Sequence, residues 1–100
     1  SRNAERAPAS AAMVVSPESG MARPIVLVDV RTPEEYRTGH KEGALNIPVD
    51  EVEQRAAQLL PDKNAVILLY CRTGKRADKA LEVLRKMGYS HVENLYRSEM

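Results

Sequence analysis

The chain has 100 residues, with 15 Lys and Arg against 14 Asp and Glu and a formal net charge of +1. That makes one small domain without the global field that a nucleic-acid or membrane partner would need. Four tyrosines are the only aromatic residues and Cys71 is the only cysteine, which argues against a base-stacking platform and excludes an intrachain disulfide or a zinc cage of several thiolates.

Residues 1–23 are rich in Ala, Ser, Pro, Arg and Gly and are expected to be a disordered tail, with a short edge strand possible at 12–15. A single domain is expected over 24–100. Because the chain starts at Ser1 rather than Met, an upstream segment is expected to have been removed or never expressed; no signal peptide is visible, and the compartment stays open between periplasm and cytoplasm, with a slight lean to the periplasm. Residues 25–30 form a β-branched run suited to a buried strand. Thr32, Pro33, Glu34 and Glu35 read as a helix start, with Thr32 as N-cap, and Gly39 ends that helix. Residues 44–47 predict a brief strand stopped by Pro48. Asp50 is expected to cap a helix from Glu51 to about Leu60, closed by Pro61.

Residues 65–70 are apolar throughout and predict a central parallel strand. The spacing of Ala77, Ala80, Leu81, Leu84 and Met87 predicts a helix over 76–87, stopped by Gly88. Residues 91–95 predict the last strand. Strands alternating with helices imply an α/β fold, a mainly parallel sheet of four to five strands with helices on both faces.

Cys71 falls where ligands bind in such sheets, beyond the carboxyl end of a strand and before a helix. Backbone N–H groups in the turn Cys71–Arg72–Thr73–Gly74–Lys75–Arg76 can converge into an anion cradle, with Gly74 supplying a positive φ. The helix N-terminus favours a thiolate by ~0.3–1 kcal/mol. A cation at about 6 Å adds roughly 3 kcal/mol at an effective dielectric of ~20. Against a packed core cysteine stand three cations in the next five residues, Arg72, Lys75 and Arg76. A core thiol has no use for them. The expected role of Cys71 is that of a nucleophile.

Three stretches in register carry a family resemblance: Asp29 to Tyr36, Gly39 to Pro48, and Tyr70 to Arg76. Together they resemble a single-domain rhodanese, and residues 61–64 and 87–94 look like the bacterial phage-shock type. The resemblance implies a rhodanese-like three-layer fold and a thiosulfate:cyanide or thiol sulfurtransferase in which Cys71 carries a persulfide. It implies no metal and no cofactor, a small sulfur donor and a cyanide or thiol acceptor, and a monomer without nucleic-acid or membrane partners. Arg72 and Arg76 would attract the dianionic donor, with Lys75 outside them and the backbone from Arg72 to Arg76 holding the sulfur. By the same resemblance, Arg72 directly after the cysteine is expected to favour thiosulfate over mercaptopyruvate.

Supporting roles fall to Asp29, Arg31 and His40. Asp29 is expected to accept hydrogen bonds from the loop or to pair with a loop cation. Arg31 is expected to pair with Glu34 or Glu35. His40 is expected to be structural, since thiolate attack needs no general base, and His91 a surface residue. Residues 95–100 depart from the phage-shock type, which continues through a glycine pair. Tyr96 and Arg97 are expected either to narrow or recharge the pocket, or to lie in an unordered end. The rival functions are a low-turnover persulfide carrier and a cysteine phosphatase. Phosphatases of this fold need a longer loop, with arginine six positions after the cysteine, whereas Arg76 is five after Cys71.

Overall fold

The computed structural model describes residues 12–15 and 22–98. In chain order the elements are β1 (Ala12–Val15), β2 (Ala22–Asp29), α1 (Pro33–Arg37), β3 (Leu45–Asn46), a 3-10 turn (Val49–Glu51), α2 (Val52–Leu59), β4 (Val66–Tyr70), α3 (Lys75–Lys86), β5 (His91–Asn94) and α4 (Leu95–Ser98). The expected edge strand at 12–15 is therefore present, and β2 begins at Ala22, two residues before the expected start of order. The remaining expectations for a tail over 1–11 and 16–21 fall outside the described residues.

One sheet organises the chain in the order β1-β2-β4-β5. β2 shares one edge between two partners. Its first half pairs antiparallel with β1, from Ala12 opposite Ile25 to Val15 opposite Ala22. Its second half pairs parallel with β3, Val28 opposite Leu45 and Asp29 opposite Asn46. On the other edge β4 runs parallel along residues 25–29, and β5 runs parallel to β4. The sheet is thus parallel except for β1, as the alternation of strands and helices implies.

Strand alternation divides the side chains unequally. Val26, Val28, Val30, Ile67, Leu69, Cys71 and Val92 are buried and belong to one cluster with Val52, Ala56, Leu60, Ala77, Ala80 and Leu84 from α2, α3 and their flanks. Ile25, Leu27, Val66 and Leu68 alternate with them and are only half-buried. That second face is covered at its carboxyl end, where the backbone N–H of Lys41 donates to the Tyr70 hydroxyl at 2.9 Å. The main core is therefore one-sided, between the sheet and the α2–α3 pair. Among the described residues no helix is long and apolar enough to cross a membrane.

Helix ends follow local chemistry. Thr32 caps α1 in a full capping box with Glu35, and Pro33 occupies the first turn. α3 closes in a Schellman arrangement, in which Tyr89 N–H reaches the Leu84 carbonyl and Gly88 N–H the Arg85 carbonyl, with Gly88 at φ 100°. The Tyr89 hydroxyl donates to the Leu60 carbonyl at 2.6 Å and ties the end of α2 to the start of β5. The expected cap at Asp50 is corrected: residues 49–51 form a 3-10 turn, and α2 starts at Val52 without any side-chain cap. Pro48 leads straight into that tighter turn, which places Asp50 inside it.

Candidate active site

β4 ends at Tyr70, and Cys71 is the first residue beyond the sheet, 9% exposed. The chain then turns through Gly74, at φ 90° and ψ −12°, straight into α3. A residue with a Cβ is strained in that left-handed conformation, and the space is also taken: a Cβ on Gly74 would lie 2.7 Å from Cδ2 of Tyr96.

The turn folds the helix terminus over the sulfur. Gly74 N–H donates to Cys71 Sγ at 3.1 Å and Ala77 N–H at 3.4 Å. Gly74 is the N-cap and Ala77 the third helical residue, so both are donors that a helix start leaves without backbone partners. Elsewhere a Ser, Thr or Asp oxygen accepts such bonds; here a sulfur does. The same arrangement favours negative charge on that sulfur, because both amide dipoles and the helix N-terminus point at it. The expected backbone cradle ran from Arg72 to Arg76; the sulfur's donors are Gly74, inside that span, and Ala77, one residue beyond it.

The cations separate into two groups. Arg72 and Lys75 are exposed and form no ion pair with any described residue. Thr73 is exposed beside Arg72. Arg76 is half-buried and turned to α1, where Nη1 meets Glu35 Oε1 at 2.7 Å and Nη2 meets Oε2 at 3.2 Å. This fork holds the Glu35 carboxyl down at about 2, helped by the Thr32 backbone N–H, and raises the Arg76 guanidinium above its ordinary value.

Asp29 is fully buried at the end of β2 and is served by its neighbours. Arg31 donates to it from the backbone N–H at 2.9 Å, from Nε at 3.0 Å and from Nη2 at 2.8 Å, and the Tyr70 hydroxyl donates at 2.9 Å. Two expectations are corrected here. Arg31 pairs with Asp29 and the Gly39 carbonyl rather than with Glu34 or Glu35, because Glu35 is committed to Arg76. Asp29 receives no bond from the Cys71 loop; it steadies Tyr70, the residue before the cysteine. Hydrogen bonding to Asp29 raises the Arg31 guanidinium further, and burial pushes the Tyr70 phenol up. His40 is exposed and stacked on Tyr36, with ring centroids 3.6 Å apart and Nδ1 at 2.7 Å from the Tyr36 carbonyl. His91 is half-buried, with Nδ1 2.7 Å from Ser90 Oγ.

The other side of the loop is held from the end of β5. Asn94 is buried; its Nδ2 donates to the Gly74 carbonyl at 2.9 Å and to Asp78 Oδ1 at 2.7 Å, while its Oδ1 accepts Tyr96 N–H at 3.0 Å. Arg97 pairs with Asp78 at 2.7 Å, and its guanidinium lies 5.3 Å from the Tyr96 ring centre. Residues 95–98 are thus a helical turn that sets Tyr96 beside Gly74, and the rest of the end expected to depart from the family, 99–100, lies outside the described residues. Sequence reasoning missed Glu35, Asn94, Asp78 and Ala77. Its place in the helix start marked Glu35 as a helix residue but gave no sign of its second partner. No group of His, Cys, Asp and Glu among the described residues could hold a metal ion.

Comparison with known proteins places this geometry among relatives. Residues 17–98 match the family described as Rhodanese-like domain. The thiosulfate sulfurtransferase PspE of Escherichia coli is 49% identical over 67 residues, covering 67% of this chain and 64% of PspE. A putative sulfur carrier protein of Bacillus subtilis, YrkF, is 38% identical over 69 residues, covering 69% of this chain and 36% of YrkF. The solved structure of a rhodanese with anions from E. coli matches with a TM-score of 0.67 at 47% identity, covering 70% of this chain and 82% of that one. The chain spans less than two thirds of the length of either curated relative.

Proposed function

Because the chain belongs to the rhodanese-like domain family, we propose that it is a thiosulfate sulfurtransferase working through a persulfide on Cys71. One observation carries the reading: two backbone N–H groups at a helix N-terminus converge on a single sulfur at the end of a parallel strand. Such a site favours an anionic sulfur in every state of a sulfur-transfer cycle. The thiolate of Cys71 attacks the outer sulfur of thiosulfate. A new S–S bond forms to Cys71, and the S–S bond of thiosulfate breaks, its electron pair leaving with sulfite. Cyanide or a thiolate then attacks the terminal sulfur, and the electron pair of the Cys71 S–S bond returns to Cys71 as thiolate. Gly74 and Ala77 serve the resting thiolate and the leaving thiolate alike, while the exposed Arg72 and Lys75 draw in the dianion.

The test is thiocyanate formation from thiosulfate and cyanide, with mercaptopyruvate and a phosphate ester in parallel. Thiosulfate turnover is expected, and Cys71→Ser should abolish it. Phosphate-ester hydrolysis without sulfur transfer would overturn the proposal. A slower persulfide carrier is the second reading. It is favoured by the recessed sulfur and by the commitment of Arg76 to Glu35, and a putative sulfur carrier is among the relatives. Intact mass separates the two: one added sulfur atom after thiosulfate, with negligible thiocyanate, identifies the carrier.

A further inference from the structure

Glu35 lies outside the strand, loop and helix that present the cysteine, yet its carboxylate serves two helices at once. Oε1 accepts the Thr32 N–H at 2.9 Å at the start of α1, and the same oxygen meets Arg76 Nη1 in the first turn of α3. The cap fixes the carboxylate from behind, and the fork takes both outer nitrogens of the guanidinium. The two side chains are 27% and 33% exposed, so solvent screens the pair only in part. Arg76 precedes Ala77, whose N–H reaches the sulfur.

The remaining charges around the loop show what this pairing does. Arg31 is neutralised by Asp29 and Arg97 by Asp78. With Arg76 neutralised as well, Arg72 and Lys75 are the cations of the Cys71 loop left without an ion-pair partner among the described residues, and the ammonium of Lys41 lies behind it, 5.4 Å from the Tyr70 ring centre. We propose that Glu35 is a positioning residue that sets the electrostatic potential at Cys71: it holds Arg76 as a neutral pair, so that Arg76 orders the loop and an incoming dianion must compete with a carboxylate to engage it. This deepens the sulfurtransferase reading and rests on it, since thiosulfate is the anion concerned.

The probe is the ratio of Cys71 alkylation rates by iodoacetate, an anion, and iodoacetamide, which is neutral. The thiolate population cancels in the ratio, which leaves the local potential. Glu35→Gln keeps an oxygen for the Thr32 cap and removes one negative charge. Its ratio should rise about two- to threefold at low ionic strength, an advantage that fades in high salt. Arg76→Gln leaves Glu35 unpaired, and its ratio should fall by a similar factor. The double variant should return close to wild type, since it restores the net charge. KM for thiosulfate should fall in Glu35→Gln in step with the ratio. A merely structural role would change both alkylation rates together and leave the ratio constant in all three variants, which would overturn the proposal. If Glu35→Gln does not fold, an unchanged ratio in Arg76→Gln overturns it equally. Absence of thiocyanate from the wild-type protein would refute the sulfurtransferase reading instead, and the alkylation ratios would still be measurable.

Discussion

Gly74 carries three duties that no other residue type combines. It takes a left-handed φ of 90°, donates its N–H to the sulfur, and leaves room for the Tyr96 ring. Gly74→Ala adds backbone strain of about 1–3 kcal/mol and a clash with Tyr96. The expected result is a lower urea midpoint together with slower thiocyanate formation. Adding Tyr96→Ala should recover only part of the stability, because it relieves the clash and leaves the φ strain in place. Full recovery in the double variant would show that the backbone conformation matters little. At this scale the sequence was informative where chemistry is local. The sole cysteine, its cations and the glycine were all legible in residues 70–77. Arg31 was misread because its partner, Asp29, lies two residues back on the strand, whereas a helical reading of residues 31–35 looks forward.

Among the elements, α1 is an exposed one: five residues, none buried, held by its capping box, by the Tyr36 hydroxyl on the Ala44 carbonyl and by the fork to Arg76. Its stability must therefore depend on pH through Glu35. The folded-state pKa of Glu35 is lowered, from 4.5 to about 2, chiefly by Arg76. A depressed carboxylate contributes stability that is complete above its unfolded value and is lost as pH falls through the folded one. Unfolding midpoints should accordingly drop between pH 4.5 and 2 in the wild type and less steeply in Glu35→Gln. Parallel pH profiles would place the source of the acid sensitivity elsewhere, with Asp78, also lowered by its bonds from Arg97 and Asn94, the next group to test. Element boundaries were readable wherever a cap or a stop residue marked them, as at Thr32 and Gly88. They were not where a proline initiated a 3-10 turn, and Asp50 was misassigned for that reason.

Over the whole molecule the decisive asymmetry is the sheet with one deep face. Leu69 is fully buried against α2 and α3, while Leu68, its neighbour in β4, is half-buried on the opposite side. Leu69→Ala should destabilise by about 2–5 kcal/mol and Leu68→Ala by about 1 kcal/mol, read from urea unfolding with a common m-value. Equal effects would mean that both faces carry the core. The apolar runs of β2 and β4 predicted buried parallel strands correctly. They concealed the difference between faces, because a run without polar residues has no alternation to reveal which side is deeper. The loop's fastenings were hidden for a related reason: Glu35 and Asn94 meet it only once the sheet has brought distant segments to one end.

Asn94 grips the Gly74 carbonyl from a position 20 residues further along the chain. A bond across that separation forms only after β5 has paired with β4, so the turn that carries the cysteine is completed by a strand at the sheet edge and not by its own sequence. Loop and edge strand therefore hold or fail together, since loss of β5 frees the Gly74 carbonyl and, with it, the turn around the sulfur.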